Sequence, residues 1–193
     1  MGRRYRAPST VLKYEVDMFN RSSMLFLILS LGAGFAMAQS SPPAQASVMV
    51  GGKAITIRYS APSVRGRKIF GPGGLLSRDP TYPVWRAGAN SSTSLQTAAD
   101  LSAGILHIPK GEYTLYVSVK DPDAWELIVS KETGQWGLDY HPEKDLGRVK
   151  MTMSKPAAPV EHLKYTLTAE GTDAVKLQLE WENHIGTVLM AVQ

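Results

Sequence analysis

Apolar and polar residues alternate without a break in the stretch VKLQLEW, at residues 175–181. Valine, leucine and tryptophan occupy every second position, with lysine, glutamine and glutamate between them. Successive side chains of a β-strand point to opposite sides, so this period of two predicts a strand with one apolar and one solvated face. The apolar face must be buried against a second layer.

The same alternation recurs along the rest of the chain. It occurs at residues 55–59, 113–119, 125–129, 149–153, 163–169 and 188–192, with Gly, Pro and Asp turns between the runs. Gly51 and Gly52 separate two such runs and favour a tight hairpin, because glycine accepts positive φ. No sustained period of 3.6 is present. We therefore predict an all-β antiparallel β-sandwich or jelly-roll-like fold of about eight or nine strands, with a barrel as the alternative.

The N-terminal segment has the composition of an export signal. An apolar run at residues 24–35 follows a basic residue and precedes AMA at residues 36–38, a pattern that signal peptidase recognises. The run is shorter than the roughly 20 residues of a membrane-spanning helix, so we expect no permanent membrane anchor. We predict export, either to the periplasm or by secretion. The predicted organisation is a signal peptide with an upstream extension in 1–38, a flexible tether in 39–46 and a single β-sandwich domain in 47–193.

Composition and charge exclude several classes of function. The 193 residues carry a net charge of +4, of which +3 lies in residues 1–38 and only +1 in the remainder. A nearly neutral domain gives no reason to expect nucleic acid as a partner. The chain has no cysteine, which excludes a disulfide framework, a thiolate metal site, a cysteine nucleophile and a lipid-anchored cysteine. We predict no cofactor, and the sequence leaves the oligomeric state open.

Positive charge is concentrated in the irregular segment 58–90. This segment has a balance of +5, whereas the chain after residue 90 carries −5. Long irregular connections often carry function. Guanidinium groups bind carboxylate, phosphate or sulfate through paired hydrogen bonds, while tryptophan and asparagine supply a stacking face and neutral hydrogen bonds. The candidate ligand-binding residues are Arg58, Arg65, Arg67, Trp85, Arg86, Asn90 and Asp145.

Three functional hypotheses fit these residues. The first is a non-enzymatic exported module that binds an anionic small molecule or a saccharide, including a polysaccharide. The second is a hydrolase whose acid and base come from Asp145, Glu161 or Glu180 beside the arginines. The third is a structural module of the cell envelope, in which the arginines form internal ion pairs. A pocket with two adjacent carboxylates would favour the hydrolase, and one lined by arginine and tryptophan would favour binding.

The segment DYHPEKD, at residues 139–145, places carboxylate and imidazole groups at every second position. Such groups can bind a divalent ion, but the segment has neither the spacing nor the glycine of a calcium loop. We interpret it as a solvated acidic turn and predict no metal site. The four histidines are scattered, and the motifs of zinc hydrolases, serine hydrolases and phosphate-binding loops are missing from the sequence.

Several blocks of sequence resemble one protein family. They are RYSAPSVRGRKIFG at 58–71, VWRAGANSST at 84–93, PKGEYTL at 109–115, WELIV at 125–129, WG at 136–137, DLGRV at 145–149 and LEW at 179–181. These blocks closely resemble the domain of unknown function 2911 family over nearly all of the predicted mature chain. The resemblance implies the fold and the setting of exported bacterial proteins, and it implies no particular reaction.

Overall fold

A computed structural model describes residues 1–2 and 40–193 of the chain. The predicted signal peptide, apart from residues 1–2, and the first residue of the predicted tether lie outside the described residues. Residues Ser40–Gln193 form one compact unit. None of the helical segments in the described part of the chain has the length and hydrophobicity that crossing a membrane requires.

Thirteen strands and two short 3₁₀ helices form within the described residues. The strands are β1 (Pro43–Val50), β2 (Lys53–Ser60), β3 (Val84–Trp85), β4 (Thr93–Thr97), β5 (Leu101–Ala103), β6 (Leu106–Ile108), β7 (Gly111–Ser118), β8 (Glu126–Ser130), β9 (Asp145–Lys150), β10 (Thr152–Ser154), β11 (Val160–Glu170), β12 (Ala174–Glu182) and β13 (His184–Val192). The 3₁₀ helices are Leu76–Arg78 and Pro142–Lys144.

The strands form two antiparallel sheets. The front sheet has the order β1-β2-β4-β7-β8-β9, with β3 paired to β7. The back sheet has the order β11-β12-β13-β5-β6, with β10 paired to β13. The prediction of an all-β antiparallel sandwich is confirmed. The strand count exceeds the predicted one because several additional strands are only two or three residues long.

The β1–β2 hairpin has the predicted turn, but its first strand is longer than expected. Gly51 and Gly52 have φ of +54° and +78° and join strands that pair from Val50–Lys53 outward. β1 begins at Pro43, inside the segment predicted to be a tether. Residues 43–46 pair with 57–60 of β2, and Ala46 is buried. Sheet pairing and burial therefore order a segment whose composition indicated flexibility.

The inner faces of the two sheets form one hydrophobic core. Val175, Leu177, Leu179 and Trp181, the apolar positions of the stretch 175–181, are each at most 1% exposed. Burying a side chain of this size contributes about 1.5–3 kcal/mol to stability. The alternating pattern thus identifies the inner face of β12 correctly.

A second, smaller hydrophobic cluster lies on the outer face of the front sheet. Tyr116 of β7 and Ile128 of β8 point away from the core, yet both are buried together with Val84, and the partly buried Tyr140 packs against them. Tyr140 belongs to residues 131–144, the connection from β8 to β9, which we call the cover loop. The cover loop shields the part of this outer face formed by β7 and β8 and leaves the outer face of β2 and β4 exposed to solvent.

Candidate functional site

An open cleft of about 180 Å³ lies on the outer face of the front sheet, beside the cover loop. Side chains of β2, β4 and β7 form its floor, and the cover loop forms one wall. The residues with polar side chains in its lining include Arg58, Ser94, Gln96, Glu112, Thr114 and Thr133, and Leu95, Tyr113 and Gly134 complete the lining. Only Arg58 among the predicted site residues belongs to this lining.

Strand register places the floor side chains side by side. Arg58 of β2 is opposite Ser94 of β4, which is opposite Thr114 of β7. In the adjacent row on the same face, Gln96 is opposite Glu112. Arg58 Nη1 donates a hydrogen bond to Gln96 Oε1 at 3.2 Å. This bond joins the two rows across the floor.

Hydrogen bonds fix the wall of the cleft to the sheet. Gln135 Nε2 donates to Thr114 Oγ1 at 3.2 Å and to the Tyr116 hydroxyl at 2.9 Å. The Tyr116 hydroxyl donates to the backbone oxygen of Asp139 at 2.9 Å. Ser92 Oγ donates to the backbone oxygen of Gln135 at 3.1 Å. The cover loop is therefore attached on both sides of the second hydrophobic cluster.

Asp145 anchors the far end of the cover loop. The Tyr140 hydroxyl donates to Asp145 Oδ2 at 2.8 Å, and Arg148 Nη2 donates to the same oxygen at 3.0 Å. Burial, reinforced by Asp145, raises the pKa of Tyr140, so the hydroxyl remains a donor. Strand pairing places Asp145 in the same row across the sheet as Arg58, with β4, β7 and β8 between their strands. Four strand spacings therefore separate the two residues, which is about 19 Å. Asp145 therefore lies outside the cleft.

Arg86 and Asn90 meet at Gly137 of the cover loop rather than in the cleft. A Cβ at Gly137 would lie 2.5 Å from the backbone oxygen of Asn90 and would also clash with the Arg86 side chain. Arg86 Nη1 is 3.4 Å from Asp79 Oδ2, and these side chains are only 17% and 21% exposed. Burial raises the pKa of Asp79 and lowers that of Arg86, and the attraction between them offsets only part of each shift. Arg86 thus forms an internal ion pair.

Trp85 is a core residue. It is 2% exposed, and its Nε1 donates to the backbone oxygen of Gly88 at 3.1 Å. Its ring stacks on Trp181, with the ring centroids 5.5 Å apart. The prediction that Trp85 offers a stacking face to a ligand is wrong because the core covers that ring. Trp136 of the cover loop is 52% exposed instead.

Arg65 and Arg67 lie in the β2–β3 connection, close to the back sheet. The backbone N–H of Arg65 donates to Glu161 Oε1 at 2.8 Å. Arg67 Nε and Nη2 donate to the backbone oxygens of Val64 and Ser63 at 3.0 and 2.6 Å. The guanidinium of Arg67 therefore folds onto its own loop, and neither arginine lines the cleft.

The carboxylates of the hydrolase hypothesis lie on different sheets. Asp145 belongs to β9 of the front sheet, whereas Glu161 and Glu180 belong to β11 and β12 of the back sheet. Glu112 is the one carboxylate that lines the cleft. Within the residues that the structure describes, no three His, Asp or Glu side chains are grouped so that they could bind a metal ion.

Most residues of the cleft were not among the residues predicted from the sequence. Glu112 and Thr114 occur in the block PKGEYTL, to which no binding role was assigned, and Gln96, Thr133 and Gly134 belong to none of the quoted blocks. Strands far apart in sequence bring these residues together. One signal did point to the covered face: Leu-Ile-Val at 127–129 is continuously apolar, which is typical of a strand buried on both sides.

These features define an antiparallel β-sandwich that carries a polar cleft on one outer face, walled by a loop fixed to the sheet. Residues 41–189 match the family described as Protein of unknown function (DUF2911). The chain belongs to this family. No curated protein and no solved structure matches the chain.

Proposed function

We propose that the protein is a non-enzymatic binding module whose cleft holds a polyhydroxylated ligand, such as one residue of a saccharide. The composition of the cleft floor carries this proposal. Arg58 supplies hydrogen-bond donors, Glu112 supplies acceptors, and Gln96 and Ser94 supply both. Because every sugar hydroxyl is both a donor and an acceptor, this mixed floor complements a sugar ring.

The charge of the cleft favours a neutral ligand over an anionic one. One guanidinium and one carboxylate line it, so its side-chain charges balance. Glu112 would repel the acidic group of an anionic ligand, whereas both charged groups form strong hydrogen bonds with neutral hydroxyls. The expected ligand class is therefore narrower than the one predicted from the sequence, in which the arginines alone indicated an anion.

The rigidity of the site also supports binding. The floor belongs to three paired strands, and hydrogen bonds fix the wall at Gln135. A site that is ordered before its ligand arrives loses little conformational entropy on binding. The predicted export signal would bring such a module to saccharides outside the cytoplasm.

NMR titration of the full chain with glucose, galactose, N-acetylglucosamine and glucuronate tests this proposal. We expect a neutral sugar to shift the amide signals of β4 and the cover loop. Arg58→Ala and Glu112→Gln are each expected to weaken that binding about tenfold or more, equivalent to about 1.4 kcal/mol. Arg78→Ala is the matched control, because Arg78 is an exposed arginine that does not line the cleft.

Two results would contradict the proposal. One is that none of the four sugars binds. The other is that the sugar binds equally well to the wild-type protein and to the Arg58 and Glu112 variants. Tighter binding of glucuronate than of the neutral sugars would show that the charge argument is wrong.

A further inference from the structure

We infer that Arg86 is a positioning residue for the cleft, although it lies outside the cleft itself. Its side chain supports the cover loop at Gly137 and thereby fixes the wall that Thr133 and Gly134 form. This inference rests on the proposed function of the cleft. It is carried by the contact between Arg86 and Gly137 and by the pairing that leads from Gly137 to the wall.

The backbone of the cover loop rests directly on the Arg86 side chain. A Cβ at Gly137 would overlap Arg86 Cδ, and it would lie 3.3 Å from Arg86 Nε and 2.5 Å from the backbone oxygen of Asn90. Protein interiors are close-packed, so atoms this near leave no room for a methyl group. The aliphatic part of Arg86 is therefore the surface on which Gly137 is seated.

Arg86 is a fixed support because both ends of its side chain are held. The guanidinium end lies 3.4 Å from Asp79 Oδ2, and the side chain is only 17% exposed. The backbone end follows Trp85, whose ring is buried in the core and whose Nε1 donates to the backbone oxygen of Gly88. A packed side chain held in this way occupies one rotamer, so the atoms beneath Gly137 stay in one place.

The segment that follows Arg86 is also rigid. Ala87 has a φ of +50°, a region that residues other than glycine rarely adopt. Its backbone oxygen accepts hydrogen bonds from Thr93 Oγ1 at 3.1 Å and from the Tyr165 hydroxyl at 3.0 Å. Unfavourable backbone conformations persist where the surrounding structure imposes them, and they are frequent at functional sites. The segment 86–90 thus has the rigidity of a support, although none of its residues lines the cleft.

A short paired segment connects Gly137 to the wall. Residues 135–136 pair with residues 91–92 through an isolated antiparallel bridge and a side-chain hydrogen bond of 3.1 Å. The two wall residues come directly before this segment, and Gly137 comes directly after it. The chain from Gly134 to Gly137 spans at most about 10 Å. A backbone shift imposed at Gly137 therefore reaches the wall.

The glycine side of the contact is tested by Gly137→Ala in the full chain. The added methyl group must push the cover loop away from Arg86, so the amide signals of residues 133–135 should shift even without ligand. The sugar probes are glucose, galactose and N-acetylglucosamine, titrated by NMR. We expect Kd for the sugar that binds to rise about fivefold or more.

Gly52→Ala is the matched control for this substitution. The φ of +78° at Gly52 makes alanine unfavourable there, but no described atom beyond its chain neighbours lies within 4 Å of the new Cβ. Gly52 belongs to the β1–β2 hairpin and does not line the cleft. This variant should lose stability and keep its affinity, which separates a general loss of stability from a displaced wall.

The arginine side is tested by two double variants that both remove the charges of the ion pair. Arg86→Ala/Asp79→Asn also removes the aliphatic stem beneath Gly137, so we expect it to shift the signals of residues 133–135 and to raise Kd about fivefold or more. Arg86→Met/Asp79→Asn is the conservative variant, because methionine places an unbranched chain under Gly137. It should restore most of the lost affinity, with circular dichroism confirming that every variant is folded.

The outcomes separate this inference from the proposed function. Unchanged signals of residues 133–135, or an unchanged Kd, in both Gly137→Ala and Arg86→Ala/Asp79→Asn would overturn the inference. Equal weakening by the two double variants would also overturn it, since the charges rather than the stem would then position the wall. Failure of the wild-type protein to bind any of the three sugars would overturn the proposed function, while the signals of residues 133–135 would still report whether Arg86 positions the wall.

Discussion

Arginines that lie close together in the sequence have different roles because their partners differ. The guanidinium of Arg86 is mostly buried beside Asp79, whereas Arg58 is exposed and bonds to the exposed Gln96. The pKa shifts of Asp79 and Arg86 both have burial as their main cause, so desolvation outweighs the attraction within this pair. Such a pair adds little net stability, but breaking it leaves a buried charge without a partner.

Arg86→Met is therefore expected to lower the free energy of unfolding by about 1–3 kcal/mol, because it leaves the Asp79 carboxylate half-buried and unpaired. The double variant Arg86→Met/Asp79→Asn should recover most of this loss, since it removes both charges. Arg58→Met is the matched control and should change stability by no more than about 0.5 kcal/mol. Urea unfolding measures all three. Equal losses for Arg58→Met and Arg86→Met would contradict this division of roles.

The cover loop is the element on which the cleft depends, and an ion pair joins its two ends. His141 Nδ1 lies 2.8 Å from Glu132 Oε2. The hydrogen bond and the charge of Glu132 raise the pKa of His141, and the charges of Glu143 and Asp139 raise it further. A histidine whose pKa is raised by folding stabilises the folded state below its ordinary pKa, and this contribution disappears as the pH rises through the raised value.

We expect NMR titration to give His141 a pKa above its ordinary value of about 6.5. Glu132→Gln should lower this pKa towards the ordinary value, because it removes the charge and weakens the hydrogen bond. In the wild-type protein, the amides of residues 133–135 should exchange faster at high pH, after correction for the intrinsic rate. In Glu132→Gln this dependence should be much weaker. An identical pKa in both proteins would show that the contact does not form in solution.

The elements differ in how far the sequence predicts them. Strands with apolar inner faces, such as β12, follow directly from the alternating pattern. The alternating pattern does not predict β4, because the polar residues Thr93 and Thr97 face inward in this strand. Their hydroxyls donate to the backbone oxygens of Ala87 and Ala99 at 3.1 and 2.7 Å. A hydroxyl satisfied in this way can be buried at little cost, and alternation of apolar residues does not reveal it.

The cleft is less predictable than the strands because it depends on register. Arg58, Ser94 and Thr114 become neighbours only when β2, β4 and β7 pair, over sequence separations of 20 residues and more. A local pattern indicates which residues face outward but not which of them are opposite one another. Arg58 was therefore predicted as a candidate for its charge, while its neighbours in the cleft were not.

At the scale of the whole molecule, an aromatic cluster joins elements of both sheets. Phe70 of the β2–β3 connection lies 4.9 Å from Trp125, 5.8 Å from Trp181 and 4.6 Å from His184, measured between ring centroids. His184 is also stacked on Trp125. Burial lowers the pKa of His184, although Glu182, 3.4 Å away, opposes the shift together with Asp123. The cluster therefore favours a neutral imidazole.

This cluster makes the stability of the fold sensitive to acid. In the unfolded chain, His184 binds a proton near its ordinary pKa of about 6.5, whereas in the folded chain it resists protonation. Its contribution is therefore fully present above that pH and declines as the pH falls towards the lowered pKa. The stability contributed by His141 instead declines as the pH rises, because its pKa is raised by folding. The pH dependence of the unfolding free energy of the wild-type protein therefore contains both effects. The difference between the wild-type protein and a variant isolates one of them.

We expect His184→Gln to lose less stability than the wild-type protein between pH 7.5 and pH 5, values that bracket the ordinary histidine pKa of about 6.5. The substitution removes the group that the unfolded chain protonates more readily, so the difference in unfolding free energy between the two proteins should shrink as the pH falls. Urea unfolding at a series of pH values measures this difference. His107→Gln is the control for replacing a histidine by glutamine, because His107 is an exposed histidine outside the cluster. Parallel curves for His184→Gln and the wild-type protein would show that His184 does not couple folding to pH.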